Sequence, residues 1–140
     1  MNTIESHAEQ MKAKALKITT DGACTFVDVE TDENGHIGLT SLQAAVKGDI
    51  EHTEIFHPDF MDRDLDVWVN DEGKLIRLPY NEKATLISHL DKYGDYICGD
   101  ALITSHDDEG NTIGLDDEAI AALRSLMDRL NIKWADARND

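Results

Sequence analysis

Three aspartates, Asp62, Asp64 and Asp66, stand at alternating positions in the stretch DRDLD. Carboxylates at this spacing are typical of an EF-hand loop, in which they supply oxygen ligands to calcium. That loop also requires glycine at its sixth position and glutamate at its twelfth. Val67 and Gly73 occupy those positions here, so the stretch does not predict a calcium site.

Histidine and serine offer two further kinds of chemistry. His52 and His57 could bind zinc, but no cysteine or other histidine nearby completes a tetrahedral set. Ser88 and His89 are neighbours in sequence, which does not indicate a catalytic triad, because the fold brings triad members together. The chain also lacks the GxSxG, HExxH, P-loop and GxGxxG motifs. The sequence therefore predicts a protein that is not an enzyme and has no metal site or cofactor.

Basic and polar side chains concentrate in VNDEGKLIRLPYNEKAT, residues 69–85. A helix N-terminus at Asn81 beside Lys74 and Arg77 would form an anion pocket. The candidate ligand-binding residues are Lys74, Arg77, Tyr80, Asn81, Lys83 and Thr85. The favoured alternative is that Asn81 only caps the helix, while the bases pair with nearby acids.

Acidic residues dominate the composition. The 29 Asp and Glu residues outnumber the 13 Lys and Arg residues, which gives a formal charge of −16 spread along the chain. Such a charge repels nucleic acid and anionic membranes and is complementary to a basic protein partner. The alternative is that the charge serves only solubility. The candidate acidic partner surface comprises Asp59, Asp62, Asp64, Asp66, Asp107, Asp108, Glu109, Asp116, Asp117 and Glu118.

The apolar residues occur in short runs. None approaches the 18 or so residues of a membrane span, and the N-terminus lacks the apolar core of a secretory signal. We therefore expect a cytoplasmic protein of a bacterial host, with Cys24 and Cys98 as buried free thiols. Residues 1–13 are predicted to be a loose extension, with Met11 as a possible alternative start. Residues 14–134 are predicted to form a single domain, and 135–140 a polar tail.

Turn residues divide this domain into elements. Asp21-Gly22 predicts a β-hairpin between KALKIT and CTFVDVE. Thr40 with Gln43 suggests a capping box for a short helix that Gly48 ends, and a strand, DIEHTEIF, follows. LDVWVN and KLIRLP are predicted to form a second hairpin, in which Gly73 supplies a positive φ.

The second half of the chain follows the same logic. Asn81 is predicted to cap a helix that stops at Gly94, and DYICGDALIT to form a central strand. A last helix runs from Asp116 to about Leu130, with a core stripe of Ile120, Leu123, Met127 and Leu130. The predicted fold is α+β, with a mainly antiparallel sheet of about six strands, three helices and the order β-β-α-β-β-β-α-β-α.

Several of these segments resemble a known family. LQAAVKGDIE, VWVNDEGKLIRLPYNEKAT, GDYICGDALIT and GLDDE together are similar to domain of unknown function 3846, over roughly residues 14–118. The most characteristic block is VN-x-EGKL-x-x-LP-x-N-x-x-AT, which begins at Val69. The family occurs in bacteria, phages and plasmids and carries no established activity. The resemblance therefore implies an accessory protein of a mobile element and adds no site residue.

Charge and resemblance lead to one functional expectation. The chain is predicted to be a non-catalytic acidic interaction protein, encoded by a phage or plasmid. It would bind, and thereby inhibit, a basic host protein of defence or nucleic-acid handling, by mimicking nucleic acid. The alternative is a small-ligand binder that sequesters a nucleotide-like anion at residues 69–85.

Overall fold

The structure, a computed structural model, describes residues 11–137. Its strands are β1 (Lys12–Ile18), β2 (Cys24–Glu30), β3 (Ile50–Thr53), β4 (Leu65–Asn70), β5 (Ala101–His106), β6 (Thr112–Ile113) and β7 (Ala135–Asp136). Its α-helices are α1 (Leu39–Val46), α2 (Glu82–Ser88) and α3 (Asp117–Arg129). Short 3₁₀ turns lie at Pro58–Phe60 and Leu90–Tyr93.

The strands form one sheet in the order β3-β4-β5-β1-β2-β7, and β6 pairs with the far end of β5. All pairs are antiparallel except β2 with β7. The predicted α+β class with a mainly antiparallel sheet is confirmed. β5 pairs with both β1 and β4, so the run ALIT is central, as predicted. The β1–β2 hairpin closes around Asp21-Gly22, also as predicted.

Helices cover both faces of the sheet, because alternate strand residues point to opposite sides. On one face, α2 and α3 enclose the larger core; its buried side chains include Leu16, Ile18, Phe26, Ile87, Leu123, Leu126 and Met127. On the other face, Leu42 of α1 packs in a smaller core with Ala15 and Leu102. At roughly 2 kcal/mol for each large apolar side chain buried, the larger core contributes most of the stability.

Side-chain caps hold two of the three α-helices that lie within residues 11–137. Asn81 Oδ1 accepts from Ala84 N–H at 3.1 Å, and Asp116 Oδ1 accepts from Ala119 N–H at 2.7 Å, as predicted. The predicted capping box of α1 is wrong, because α1 begins at Leu39 and its N-cap, Gly38, has no side chain that could bond.

Residues 71–78 do not form a strand, and the predicted hairpin through Gly73 is wrong. The chain makes one helical turn, in which Leu78 N–H donates to Gly73 O at 2.9 Å and Arg77 N–H donates to Lys74 O at 3.3 Å. These two bonds are the Schellman pattern that closes helices, and Arg77 (φ 57°) takes the left-handed position that glycine usually fills. Apolar residues alternating with polar ones imitated a strand, but the backbone bonds here are local.

Two details of the predicted core also change. In α3, Leu123 and Met127 are buried as predicted, whereas Leu130 lies at the exposed helix end and Leu126 is buried instead. Both cysteines are free thiols. Cys24 is buried, which raises the pKa of its thiol to about 11, and Cys98 is half-buried.

Two strands extend beyond the predicted boundaries of the domain, residues 14 and 134. β1 begins at Lys12, inside the predicted extension, and β7 lies inside the predicted polar tail. Residues 1–10, which precede the possible start at Met11, and residues 138–140 lie outside the described part of the chain.

Candidate functional site

Two contrasting surfaces lie at opposite ends of the central strands β4 and β5. Because these strands are antiparallel, the residues before β4 and after β5 share one end, about 20 Å from the residues after β4 and before β5. We call the first surface the acidic end; it comprises residues 32–33, 62–64, 107–109 and 116–118. We call the second the aromatic corner; it comprises residues 71–80 and 93–98.

Two glycines hold the aromatic corner against the start of β5. A Cβ atom on Gly73 would lie 2.4 Å from the carbonyl oxygen of Cys98, so no larger residue fits without moving the backbone. Gly99 has a φ of 92°, which glycine tolerates best, and a Cβ there would lie 2.8 Å from Cδ1 of Leu78. These close contacts therefore hold the helical turn of residues 71–78 against the residues that precede β5.

The outer side of this corner is apolar. Leu75 is 81% exposed and Ile76 is 54% exposed, and Tyr80, Tyr93 and Tyr96 are exposed as well. The rings of Tyr80 and Tyr96 meet edge-on, with centroids 6.2 Å apart. Exposed apolar side chains that lie together on a fixed backbone are typical of an interaction surface.

One of the two bases of the corner, Lys74, is already paired. Lys74 Nζ donates to Asp95 and lies 4.4 Å from the ring centroid of Tyr96. The hydrogen bond raises the pKa of Lys74 and lowers the pKa of Asp95, so both groups are charged at neutral pH. This pairing matches the alternative in which nearby acids neutralise the bases.

The other predicted ligand-binding residues are divided between different environments. Asn81 is buried, and its Nδ2 donates to the carbonyl oxygens of Ile18 and Gly99 at 3.0 and 2.9 Å. Thr85 is buried too, and its hydroxyl donates to the carbonyl oxygen of Asn81. These polar groups serve the fold, tying α2 to β1 and to the entry of β5.

The predicted ligand-binding residues do not line a common pocket. Lys74 lines a pocket of about 140 Å³ between β3 and residues 90–98, whose other polar walls include Glu51, Asp71 and Asp95. Tyr80, Asn81 and Lys83 line a separate, shallow depression beside Gly22, which Asp21 and Glu82 also line. Arg77 belongs to neither wall set. The anion-binding alternative stays a prediction, and the first pocket has more carboxylates than cations.

Several carboxylates of the predicted partner surface have partners within the protein, although most of them remain exposed. Asp59 bonds to Arg129 at 2.9 Å and Glu118 lies 3.5 Å from Arg63, while Asp116 caps α3. Asp62, Asp64, Asp108, Glu109, Asp117 and Glu118 are exposed. Asp66 is buried, so it does not belong to the outer surface.

Two matching turns shape this end. Asp32 accepts from the backbone N–H groups of Asn34 and His36, and Asp107 accepts from those of Glu109 and Asn111. These bonds lower the pKa of both aspartates, with the bonds from His36 and Asn111 as the largest causes. The repeated turn in DENGHIG and DDEGNTIG thus keeps both carboxylates ionised at neutral pH.

Sequence reasoning missed a polar cluster beneath the acidic end. Asp66, with a side chain only 8% exposed, lies between His52 (Nε2 to Oδ1, 2.6 Å) and His106 (Nδ1 to Oδ2, 2.9 Å). The hydrogen bond to Asp66 is the main cause that raises the pKa of His106, with smaller contributions from Asp64 and Glu54. Period-two alternation could have revealed it, because β4 places Asp66 and Trp68 on one face.

This cluster orients imidazoles, and we assign no reaction to it. His52 bonds to Asp66 through Nε2, and His106 bonds to it through Nδ1. The free Nε2 of His106 faces Asp64 at 3.6 Å. Among residues 11–137, no group of three or more His, Cys, Asp or Glu side chains is arranged to hold a metal ion.

One comparison with known proteins found a match. The family model described as a domain of unknown function, DUF3846, matches residues 11–130. The chain belongs to this family. The match extends past the resemblance over residues 14–118 and includes β1 and all of α3. No curated protein and no solved structure matches. In the described part of this family member, no helix has the length and apolarity to cross a membrane.

Proposed function

We propose that this chain is a non-catalytic interaction protein, encoded by a phage or plasmid, that binds a basic surface of a host protein. The observation that carries the proposal is the concentration of charge at the acidic end. Its four segments contain ten carboxylates and one arginine, Arg63, whereas the aromatic corner contains three carboxylates and two bases. Charge serving only solubility would not need such a gradient.

The physical consequence is electrostatic steering. Ten carboxylates on one end create a negative potential that attracts a basic protein and speeds its diffusional encounter. The same potential repels nucleic acid, so the partner is expected to be a protein. A basic surface that fits this potential is typical of a protein that itself handles nucleic acid or defends the host. Occupying its basic surface would inhibit it by competition.

The proposal is tested with a partner captured at low salt from a bacterial host lysate, identified and then purified. We expect its affinity for this chain to fall steeply between about 50 and 500 mM salt, because ionic screening shortens the Debye length. Affinity that does not change over this range would overturn the proposal.

A matched pair of variants then locates the surface. Asp108→Asn with Glu109→Gln removes two charges from the acidic end, and Glu72→Gln with Glu82→Gln removes two from beside the aromatic corner, neither of them in the pocket that Asp71 lines. We expect the first pair to weaken binding by about fivefold and the second by less, given the small energy of each exposed charge. Equal effects would mean that only total charge matters, contrary to the proposal.

A further inference from the structure

β3 leaves one edge of the sheet open. It is the outermost strand beside β4, and within residues 11–137 no backbone group is bonded to its outer side. Asp71 N–H donates to Asp49 O at 2.8 Å, so residues 49 and 71 form a hydrogen-bonded pair. Such pairs alternate along an antiparallel ladder, so Glu51 and Thr53 also bond to β4. The N–H and C=O groups of Ile50 and His52 therefore point outward.

This edge lacks the usual protection. Natural edge strands are commonly blocked by lysine, proline or a bulge, because unpaired backbone groups attract other strands. β3 has the sequence IEHT, with a regular register against β4 and none of these features. Its short length and the charge of Glu51 are the two features that limit pairing.

An acidic pocket lies directly beside the open edge. Glu51 projects from β3 to the same face as Val69, and it lines the pocket of about 140 Å³ together with Asp71, Asp95 and Lys74. Lys74 pairs with Asp95 and lies against the ring of Tyr96, so Glu51 and Asp71 supply the net negative charge of the pocket. A volume of this size suits the end of a lysine or arginine side chain. Carboxylates are the groups that recognise such cations.

We infer that β3 accepts an extended basic segment of the partner protein as an additional strand. The inference rests on the proposed function, since it specifies how a basic partner would bind. Backbone bonds to Ile50 and His52 supply affinity, and a lysine or arginine opposite Glu51 enters the acidic pocket and supplies specificity. The neighbouring residues of that segment face Trp68, on the opposite side of the sheet.

A second copy of this chain fits the edge less well. Two copies of β3 side by side would bring Glu51 of one near Glu51 of the other. Each copy also carries a formal charge of −16, which opposes self-association. Charge complementarity therefore favours a basic occupant.

The test measures fluorescence anisotropy with a labelled eight-residue peptide of alternating lysine and valine. A peptide of alternating glutamate and valine has the same strand propensity and the opposite charge. We expect the basic peptide to bind and the acidic peptide to bind at least about tenfold more weakly. Equal binding, or no binding of the basic peptide, would overturn the inference. A peptide-independent dimer in analytical ultracentrifugation would assign the edge to a second copy instead.

A pair of substitutions at one position separates the backbone from the side chain. His52→Ala and His52→Pro both remove the imidazole and its bond to Asp66, but only proline removes the outward N–H. We expect His52→Pro to bind the basic peptide about tenfold more weakly than His52→Ala does. Proline cannot donate the backbone hydrogen bond, and it also disturbs the alignment of the adjacent residue with the added strand. Equal binding by the two variants would contradict strand addition.

Two measurements keep the outcome interpretable. If His52→Pro does not fold, as judged by circular dichroism, the basic peptide with alternate N-methylated amides tests the same bonds on the unchanged protein. If the captured partner binds both His52 variants equally but responds to the acidic-end variants, strand addition is wrong and the proposed function stands. If the partner responds to neither set, the proposed function fails as well.

Discussion

The acidic end and the aromatic corner cap the same two strands, yet they are built in opposite ways. At the acidic end, short turns such as 107–111 fold around an aspartate, and the charged groups remain in water. At the aromatic corner, close backbone packing at Gly73 holds Leu75 and Ile76 in water. Water therefore solvates the charged groups of the acidic end, whereas packing against the rest of the fold keeps the apolar side chains of the aromatic corner exposed. Substitutions should accordingly affect folding at the corner and electrostatics at the acidic end.

The largest effect is expected at the base of the aromatic corner. Gly73→Ala places a Cβ against the carbonyl oxygen of Cys98, so we expect the free energy of unfolding to fall by about 1–3 kcal/mol or more. Gly38→Ala is the matched control, because no atom lies within 4 Å of its Cβ position. Urea denaturation of both variants measures the difference. A Gly73→Ala variant as stable as Gly38→Ala would show that the corner does not depend on this contact.

The next effect concerns the cluster beneath the acidic end. Asp66→Asn removes the carboxylate that chiefly raises the pKa of His106, so we expect that pKa to fall towards its ordinary value. Asp64→Asn removes a smaller contribution and should lower the pKa less. NMR titration of His106 measures both shifts. A larger shift with Asp64→Asn would mean that exposed charge, not the buried hydrogen bond, controls His106.

The hydrogen bond between His106 and Asp66 also predicts a pH dependence of the free energy of unfolding. The pKa of His106 is raised in the folded protein, so its bond to Asp66 stabilises fully below the unfolded pKa, about 6.5. That stabilisation is lost as the pH rises through the folded pKa. We therefore expect Asp66→Asn to cost about 1 kcal/mol near pH 6 and less near pH 9, as measured by urea denaturation. A cost that grows with pH would contradict this sign.

A smaller effect is expected where the corner turns. Arg77 has a left-handed backbone conformation, which costs an L-residue with a Cβ about 1 kcal/mol. Arg77→Gly should therefore raise the free energy of unfolding by up to about that amount. Arg77→Ala is the control, because it removes the charge and keeps the strain. If alanine stabilised as much as glycine, charge rather than backbone conformation would be responsible.

The smallest effect tests the difference in charge between the two surfaces. Glu109→Lys relieves repulsion at the acidic end, so we expect a gain of about 0.5 kcal/mol at low salt that disappears at high salt. Glu72→Lys makes the same change at the aromatic corner, where two bases offset most of the charge of three acids, and should gain less. Thermal unfolding at two salt concentrations measures both. Identical gains would mean that the charge is uniformly distributed in effect.

Local signals explain which elements could be predicted. Asp21-Gly22, Asn81 and Asp116 form their turns and caps within a few residues, so their bonds depend only on neighbouring sequence. Residues 71–78 were predicted as part of a strand because their apolar and polar residues alternate. The Schellman closure could not be predicted, because arginine rarely adopts the left-handed conformation that Arg77 has there.

The candidate sites were harder to predict for a related reason. Lys74 and Asp95 are paired as one of the open alternatives had it, but Asn81 and Thr85 are consumed by the core, which only burial reveals. The cluster around Asp66 joins β3, β4 and β5, so its members are as much as 54 residues apart in sequence from His52 to His106.

The sequence by itself determined the α+β class, the two side-chain caps, the β1–β2 hairpin and the acidic charge, because each follows from composition or short-range bonding. Only the tertiary structure decided that the charge collects at one end of β4 and β5, and that β3 is an open edge within residues 11–137. It also decided that Asp66 is buried between two histidines. Strand order brings distant residues together, and that order follows from the packing of the whole core.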